Sequence, residues 1–266
     1  MSNRIVVIGE AQGDFEVARE LIDQSLLRCV ELTWIKEDVD LEHHRIYRGF
    51  EQSQEFVVWG WLDTTNTKDY RIRSRGMFEN EWPNHDVALR IQRAIFHFVN
   101  DAEFIVVVKD TDGNELHETQ LRSVRELVEK MPVVVGIEHT KLECWLVAGF
   151  NPQNPTEEER LQTLCLGEKP GIGFNPCLRS HELTATGPAS KGDPRNAKRV
   201  LEFLVGDDWR VALRSLHRDN HPILSARGEH NGLADFLSDI RERLIRVVFN
   251  VPHPNSFRTG SPVDRR

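Results

Sequence analysis

The feature that most constrains the fold is a run of strand-forming residues, Phe104-Ile-Val-Val-Val, that leads directly into Lys109-Asp110-Thr-Asp112. A similar run, Arg4-Ile-Val-Val-Ile-Gly9, opens the chain, and Val133 to Ile137 forms a third. Short continuous apolar runs predict strands that are buried on both faces, as in a parallel sheet. Segments with helical apolar spacing separate them. The sequence therefore predicts an α/β fold, an open and mostly parallel sheet flanked by helices.

The pattern also predicts the order of the elements. Helices are expected over residues 15–27, from Asn84 or Asp86 to 100, and over 115–130 and 142–150, with a second strand at 30–35. In the more polar stretch 36–83, possible strands at 56–62 and 70–75 predict a β-hairpin inserted in the sheet domain.

The character of the chain changes after residue 150. We expect an α/β domain over residues 1–150, a loop-rich and mainly helical extension over 151–250, and a disordered tail over 251–266. The better helices of the extension are predicted near 196–204 and 233–247.

Composition and charge exclude several classes of protein. The 42 acidic residues outnumber the 34 basic ones, which argues against a polybasic nucleic-acid binder but not against a nuclease that uses a metal ion. No apolar run approaches the roughly 20 residues of a membrane helix. The four cysteines lack Cys-x-x-Cys spacing, so reduced thiols are expected rather than a zinc site. The chain enters its first strand without a signal sequence, which predicts a cytoplasmic protein.

Acidic residues follow the predicted strands at the edge where parallel sheets bind ligands. Glu10 follows the first strand with Asp14 behind it, Asp110 and Asp112 follow the central strand, and Glu138 ends the next one. Carboxylates gathered at one edge repel each other unless a cation lies between them, and their oxygens are the ligands that Mg²⁺ prefers. The sequence therefore predicts a magnesium or manganese site.

Each residue also has a simpler interpretation. Asp-x-Asp-Gly after a strand is a common turn sequence. Glu10 is also compatible with a carboxylate that is stabilised by a helix dipole, and Asp14 with a helix N-cap. The combination of all these residues in this order favours a metal site.

The motifs resemble the TOPRIM domain of topoisomerases, primases and overcoming-lysogenization-defect nucleases. The marks are Val6-Val-Ile-Gly-Glu10, Asp14 four residues later, and Val106-Val-Val-Lys-Asp110-Thr-Asp112. In addition, Gly136-Ile-Glu138-His-Thr-Lys-Leu-Glu143-Cys-Trp145-Leu and the later Arg227-Gly-Glu-His-Asn-Gly-Leu-Ala-Asp-Phe-Leu are similar to a TOPRIM-like group of bacterial phage-defence proteins that are often encoded beside ATPases. One difference from the family is Ala11, where glycine is usual.

The resemblance implies a metal-dependent nuclease that cleaves DNA or RNA in antiviral defence, acting with a partner ATPase. Asp110 and Asp112 would hold the metal ion, and Glu10 would be a ligand or the general acid or base. Asp14 matches the second acidic position of the nuclease branch, where two metal ions are used. Covalent topoisomerase chemistry is disfavoured, because the two tyrosines, Tyr47 and Tyr70, both lie in the predicted insertion.

Positive charge is needed to hold a nucleic acid. Arg71, Arg73 and Arg75 alternate on one predicted strand face and are the first candidates, and a second basic cluster comprises Lys191, Arg195, Lys198 and Arg199. A solvated charged face is the simpler interpretation of both groups. Lys141 is a candidate nucleic-acid contact, or it offsets the charge of the acidic pocket.

Two other functions stay open. Val-Val-Val-Lys-Asp110-Thr-Asp112-Gly-Asn resembles the nucleophile motif of haloacid-dehalogenase-type phosphatases, although an entire β-α-β unit precedes it here and Asn114 replaces the usual threonine. The chain is also compatible with a non-catalytic TOPRIM-like subunit that binds an ATPase. It has no Walker motif of its own, so any ATP-driven step requires another chain. The sequence leaves an oligomer open.

Overall fold

The structure is a computed structural model. It describes residues 3–29, 31–32, 34–35, 38–49, 51, 53–60, 62, 90–91, 94, 97–98, 101–112, 114–127, 133–167, 171–184, 192–206, 208–246 and 249. The predicted tail over 251–266 lies outside these residues.

The described strands form one sheet in which every pairing is parallel. They are β1 (Asn3–Gly9), β2 (Arg45–Tyr47), β3 (Val57–Val58), β4 (Phe104–Asp110) and β5 (Val133–Glu138). The order is β2-β1-β4-β5. The short strand β3 pairs with the carboxyl end of β1, and β2 pairs with its amino end. The predicted parallel α/β sheet is confirmed.

Helices flank the sheet and make up most of the region after residue 150. They are α1 (Gln12–Arg28), α2 (Asp38–His44), α3 (Glu115–Leu127), α4 (Leu142–Gly149), α5 (Pro155–Leu166), α6 (Ala197–Val205), α7 (Trp209–Arg214), α8 (His221–Arg227) and α9 (Leu233–Asp239), which continues as a π-helix (Ile240–Ile245). Among these described helices, none is long and apolar enough to cross a membrane.

The strands are apolar throughout because both faces of the sheet are covered. Val106, Val108 and Val134 lie in a core that includes α1, α4 and the helices after residue 150. The alternate residues, such as Val107 and Val135, belong to a second core on the opposite face, with α3. The C-terminal helices therefore share a core with the sheet.

The strand predicted at 30–35 is wrong. The described residues of this segment form successive turns, in which the Leu32 amide donates to the Cys29 carbonyl and the Ile35 amide donates to the Leu32 carbonyl. The apolar residues here are three apart and point into the core together, which a strand does not allow. The strand that pairs with β1 instead follows α2 and is β2.

The predicted insertion is described only in part. Within 56–62 the strand is limited to β3, and it pairs in parallel with β1, so this part belongs to the main sheet. Tyr70 and the alternating arginines that would complete a hairpin lie outside the described residues. Residues 90–91, 94 and 97–98 are helical, in agreement with the predicted helix, whose proposed caps Asn84 and Asp86 are also outside.

A buried ion pair connects β2 to α1. The Arg45 guanidinium donates to both carboxylate oxygens of Asp23, at 2.7 and 2.6 Å, and the Tyr47 hydroxyl donates to the same carboxylate at 3.0 Å. Arg45 and Asp23 are both buried. A polar residue at a core position of β2 is stable there because its charge is fully paired.

The outer edge of β5 is covered by the end of the chain. The His139 amide donates to the Asn231 carbonyl, and Arg243 donates to the Val133 carbonyl at 3.3 Å. Gly232 has φ +85°, and a Cβ atom there would lie 1.9 Å from the Ile137 carbonyl oxygen. Only glycine allows this approach, which brings α9 against the strand.

Candidate functional site

The pairing register places two acidic residues side by side at the carboxyl edge of the sheet. Asp110 ends β4, Glu138 ends β5, and their Cα atoms are direct partners. Both follow the alternation of Val106, Val108 and Val134, so both side chains are directed to the face covered by α1 and α4. Two carboxyl groups in this position interact strongly.

Of the two acidic residues, Glu138 has the more unusual environment. Its side chain is fully buried, and neither carboxyl oxygen has a hydrogen-bond partner among the described residues. Burial raises the pKa of Glu138 well above its usual range, and the adjacent Asp110 raises it further. Burial therefore favours the protonated form of Glu138, and the fold leaves both of its oxygens without a hydrogen bond in the described structure.

Asp110 has its charge stabilised by neighbours. One carboxylate oxygen accepts from the Leu142 amide at 3.1 Å, at the start of α4, and the other accepts from Lys141 Nζ at 2.6 Å. Lys141 Nζ also lies 2.5 Å from Asp112, whose backbone has φ +51°. Burial by itself would lower the pKa of Lys141, but the contacts with Asp110 and Asp112 outweigh it and raise the pKa. A lysine ammonium thus lies between the two aspartates.

Asp14 lies in the first turn of α1 and is buried. It is not the N-cap, which is Ala11; it accepts hydrogen bonds from the amides of Glu10 and Ala11, at 2.5 and 3.1 Å. Burial raises the pKa of Asp14 to about 6, against these two hydrogen bonds, and the charges of Asp110 and Glu10 raise it further. Asp14 therefore exchanges a proton close to neutral pH.

Glu10 is exposed and forms an ion pair with Lys109. Lys109 precedes Asp110 on β4, so its side chain is directed to the opposite face of the sheet, where Nζ lies 5.9 Å from the centre of the Trp59 ring. The carboxylates of Glu10 and Asp110 are thus paired with different lysines. The charges of Glu10 and Asp110 both raise the pKa of Asp14.

Three contributors were not among the predicted site residues. Lys109 directly precedes Asp110 on β4. Because side chains alternate along a strand, the sequence already indicates that Lys109 is directed to the opposite face of the sheet from Asp110. Glu143 is half-buried in the first turn of α4; burial raises its pKa, and Asp110 raises it further. Thr111 donates to the Glu138 carbonyl at 3.1 Å and accepts from the Thr140 amide at 3.2 Å, which joins the two strand ends. No sequence signal identified the role of Thr111.

The described residues contain no preformed ion site. Among them, no three His, Cys, Asp or Glu side chains converge as the ligands of one ion do. Lys141 Nζ instead lies within reach of the oxygens of Asp110 and Asp112. The donor set itself, carboxyl oxygens with an unpartnered buried Glu138 beside them, has the chemistry that Mg²⁺ or Mn²⁺ requires.

Only some of the predicted nucleic-acid contacts lie among the described residues. Arg71, Arg73, Arg75 and Lys191 lie outside the described residues. Lys198 is exposed on α6, and its charge opposes the rise in the Glu143 pKa. Lys141 and Lys109 are the cations that contact the acidic residues of the site in the described part of the chain.

Comparisons with protein-family models, with curated proteins and with solved structures found no match to this chain.

Proposed function

We propose that the protein hydrolyses phosphodiester bonds of DNA or RNA with Mg²⁺ or Mn²⁺ at the carboxyl edge of the sheet. The observation that carries the proposal is Glu138, a fully buried carboxyl group with two unpartnered oxygens beside Asp110 at the end of β4. Burying such a group is costly, and structural stability gives no reason to retain it. A divalent cation bound here would be held by Glu138 and the neighbouring carboxylates, which would offset this cost.

The ligands would be Asp110, Asp112 and Glu138, and Glu10 is the candidate for a further ligand or proton acceptor. When bound, the ion supplies an acidified water as nucleophile and offsets the negative charge that develops on phosphorus. Glu138 must lose its proton to bind the ion, which its raised pKa makes unfavourable without one.

Lys141 and Asp14 have roles that do not depend on a second ion. Lys141 Nζ contacts the same carboxylates that would bind the metal, so it must move when the ion binds. Its ammonium is then free beside the site, where it can bind a phosphate oxygen of the substrate. Asp14, with a pKa of about 6, is suited to transfer a proton to the leaving oxygen near neutral pH.

The partners in this proposal are those implied by the TOPRIM resemblance. They are a nucleic acid, held in part by Arg71, Arg73 and Arg75, and an ATPase supplied by another chain. The same resemblance supports a role in antiviral defence.

A cleavage assay tests the proposal. Supercoiled plasmid DNA and single-stranded RNA are incubated with the purified protein in Mg²⁺, Mn²⁺ or EDTA. We expect cleavage with either metal and none in EDTA, and loss of at least about 100-fold in rate for Asp110→Asn and Glu138→Gln. Glu229→Gln, an exposed residue outside the site, is the matched control. Full activity of the Asp110→Asn variant would refute the mechanism.

A second candidate is a phosphatase with Asp110 as nucleophile. It is favoured by the hydrogen bonds from the Leu142 amide and Lys141, which orient the two oxygens of Asp110. Hydrolysis of p-nitrophenyl phosphate with a trapped aspartyl-phosphate on Asp110 would establish this alternative. Metal binding without either activity would support the non-catalytic, partner-binding role.

A further inference from the structure

A second concave site lies far from the acidic residues. It is a cavity of about 520 Å³ between the last turn of α1, helix α8 and the joined α9 and π-helix. Arg28 lines it, whereas Asp14 lies 14 residues earlier in the same helix. The rise of an α-helix places these two positions roughly 21 Å apart along the axis. The cavity is thus distinct from the site at the carboxyl edge of the sheet.

The lining of the cavity includes a buried histidine, one ring nitrogen of which has no hydrogen bond among the described residues. His221 is 5% exposed, and its Nε2 atom has no hydrogen-bond partner among the described residues. Burial lowers the pKa of His221 to about 4, and the charge of Arg28 lowers it further, so the ring is neutral. The fold thus leaves one nitrogen of a neutral imidazole without a hydrogen bond beside the cavity.

The rim of the cavity supplies further hydrogen-bond donors. Arg28, Ser225, Ser238 and Arg241 are exposed, and in the described part of the chain their side chains form no hydrogen bond or close ion pair. The acidic groups of the lining are engaged: Glu242 lies 3.0 Å from Arg246, and Glu31 accepts from the Cys29 thiol at 3.2 Å. The remaining polar groups of the lining are guanidinium and hydroxyl donors, of which Arg28 acts electrostatically on His221 and Arg241 on Glu31.

The wall that carries Arg241 is a π-helix over Ile240–Ile245. A π-helical segment is rare, and such segments are frequent at functional sites. Here it places Arg241 and Ile245 on the lining, together with the apolar Leu237 of the preceding helix. The cavity thus has apolar surface next to its donors.

We infer that this cavity binds a small phosphate monoester of about the size of a mononucleotide. Two guanidinium groups and two hydroxyls match the oxygens of a phosphate, which accept but do not donate when ionised. The volume is typical of small-molecule sites and far exceeds that of a lone phosphate ion, and the apolar wall suits the organic part of a ligand. This inference is independent of the proposed nuclease activity.

Isothermal titration of the full chain tests the inference. The probes are adenosine 5′-monophosphate, guanosine 5′-monophosphate, ribose 5-phosphate and inorganic phosphate, all in EDTA so that a metal-bound phosphate at the acidic site does not contribute. We expect a saturable signal for at least one monoester, with affinity at least about tenfold above that of inorganic phosphate. Arg28→Gln and Ser238→Ala should each weaken it, the former by about tenfold.

Arg210→Gln is the control, because Arg210 is an exposed arginine of α7 that does not line the cavity. Both pocket variants change exposed residues, so they are expected to fold, and circular dichroism verifies this. Binding that Arg28→Gln leaves unchanged would overturn the inference. Equal affinity for inorganic phosphate and the monoesters, or no binding of any of the four probes, would overturn it as well.

Discussion

Asp110 and Glu138 are direct partners at the ends of β4 and β5, yet Asp110 is bound by an amide and a lysine while Glu138 has two unpartnered oxygens in the described structure. The pair therefore combines a hydrogen-bonded carboxylate with a buried carboxyl group whose pKa is raised by that burial. This difference between two adjacent residues is the basis of the proposed metal site. It also predicts that the burial of Glu138 lowers the free energy of unfolding, which can be measured.

Replacing Glu138 with leucine should stabilise the protein in the absence of metal. The substitution removes two buried oxygens without partners, and we expect the free energy of unfolding in EDTA to rise by about 1–3 kcal/mol, measured by urea denaturation. Glu138→Gln, which leaves unpartnered polar atoms in place, should show no such gain. Stabilisation of the wild-type protein by Mn²⁺ should be absent from Glu138→Leu. A leucine variant that is less stable than wild type would show that Glu138 contributes to folding.

Replacing Lys141 with methionine should strengthen metal binding. The ammonium and a metal ion compete for the oxygens of Asp110 and Asp112, so its removal should lower the Kd for Mn²⁺ by about tenfold, as measured by calorimetry. The same variant should be less stable in EDTA, because the two carboxylates then repel each other. Arg28→Met is the control, since Arg28 is exposed at the opposite end of α1 from Asp14. An unchanged or weaker affinity for Mn²⁺ would contradict competition at this position.

Asp14 should make the stability of the protein depend on pH in an unusual direction. Its pKa is about 6 in the folded protein and near 3.8 in an unfolded chain, so the folded state holds the proton more tightly. The stabilisation from this proton is complete below pH 3.8 and is lost as the pH rises through 6.

The variant Asp14→Asn isolates this effect, because the asparagine oxygen still accepts from the amides of Glu10 and Ala11. We expect the free energy of unfolding of the wild type, minus that of the variant, to fall between about pH 4 and pH 6 and then to level off. Urea denaturation at several pH values measures this difference. A difference that rises with pH would mean that Asp14 is ionised in the folded protein at lower pH than its burial implies.

Arg45 should be the most sensitive charged residue outside the acidic site. In Arg45→Met, Asp23 stays buried without its partner, and we expect a loss of about 3–5 kcal/mol in the free energy of unfolding. Arg19→Met is the matched control, because Arg19 lies 3.8 Å from the same carboxylate but is 46% exposed, and it should cost less than about 1 kcal/mol. Similar losses of unfolding free energy for the two variants would indicate that burial does not determine how much the Asp23–Arg45 pair stabilises the protein.

The sequence predicted the centre of the fold better than its edge. β1, β4 and β5 are continuous apolar runs, and their burial on both faces is a local property that the residues display directly. β2 has no such mark: it is three residues long and begins with Arg45, whose polarity is compatible with a core only because Asp23 of α1 pairs with it. That information lies 22 residues away and requires the tertiary structure.

The sequence likewise predicts one part of the candidate site and not the rest. The positions of Asp110 and Glu138 follow from two strands that end at one edge of a parallel sheet, which the sequence indicates. The pairing of Glu10 with Lys109 depends on the register of β1 against β4. The position of Lys141 between two aspartates depends on the turn that precedes α4, which apolar spacing does not encode.

The contacts of Asn231, Gly232 and Arg243 with β5 have a consequence for any shortened form of the protein. A chain that ended before these residues would leave the outer backbone of Val133–Glu138 without cover, on a strand that is buried along its whole length in the intact fold. An uncovered apolar strand edge is a template on which further copies of a chain add. Truncation before Asn231 would therefore produce aggregates rather than a smaller folded protein, because residues 231–243 cover the outer edge of β5.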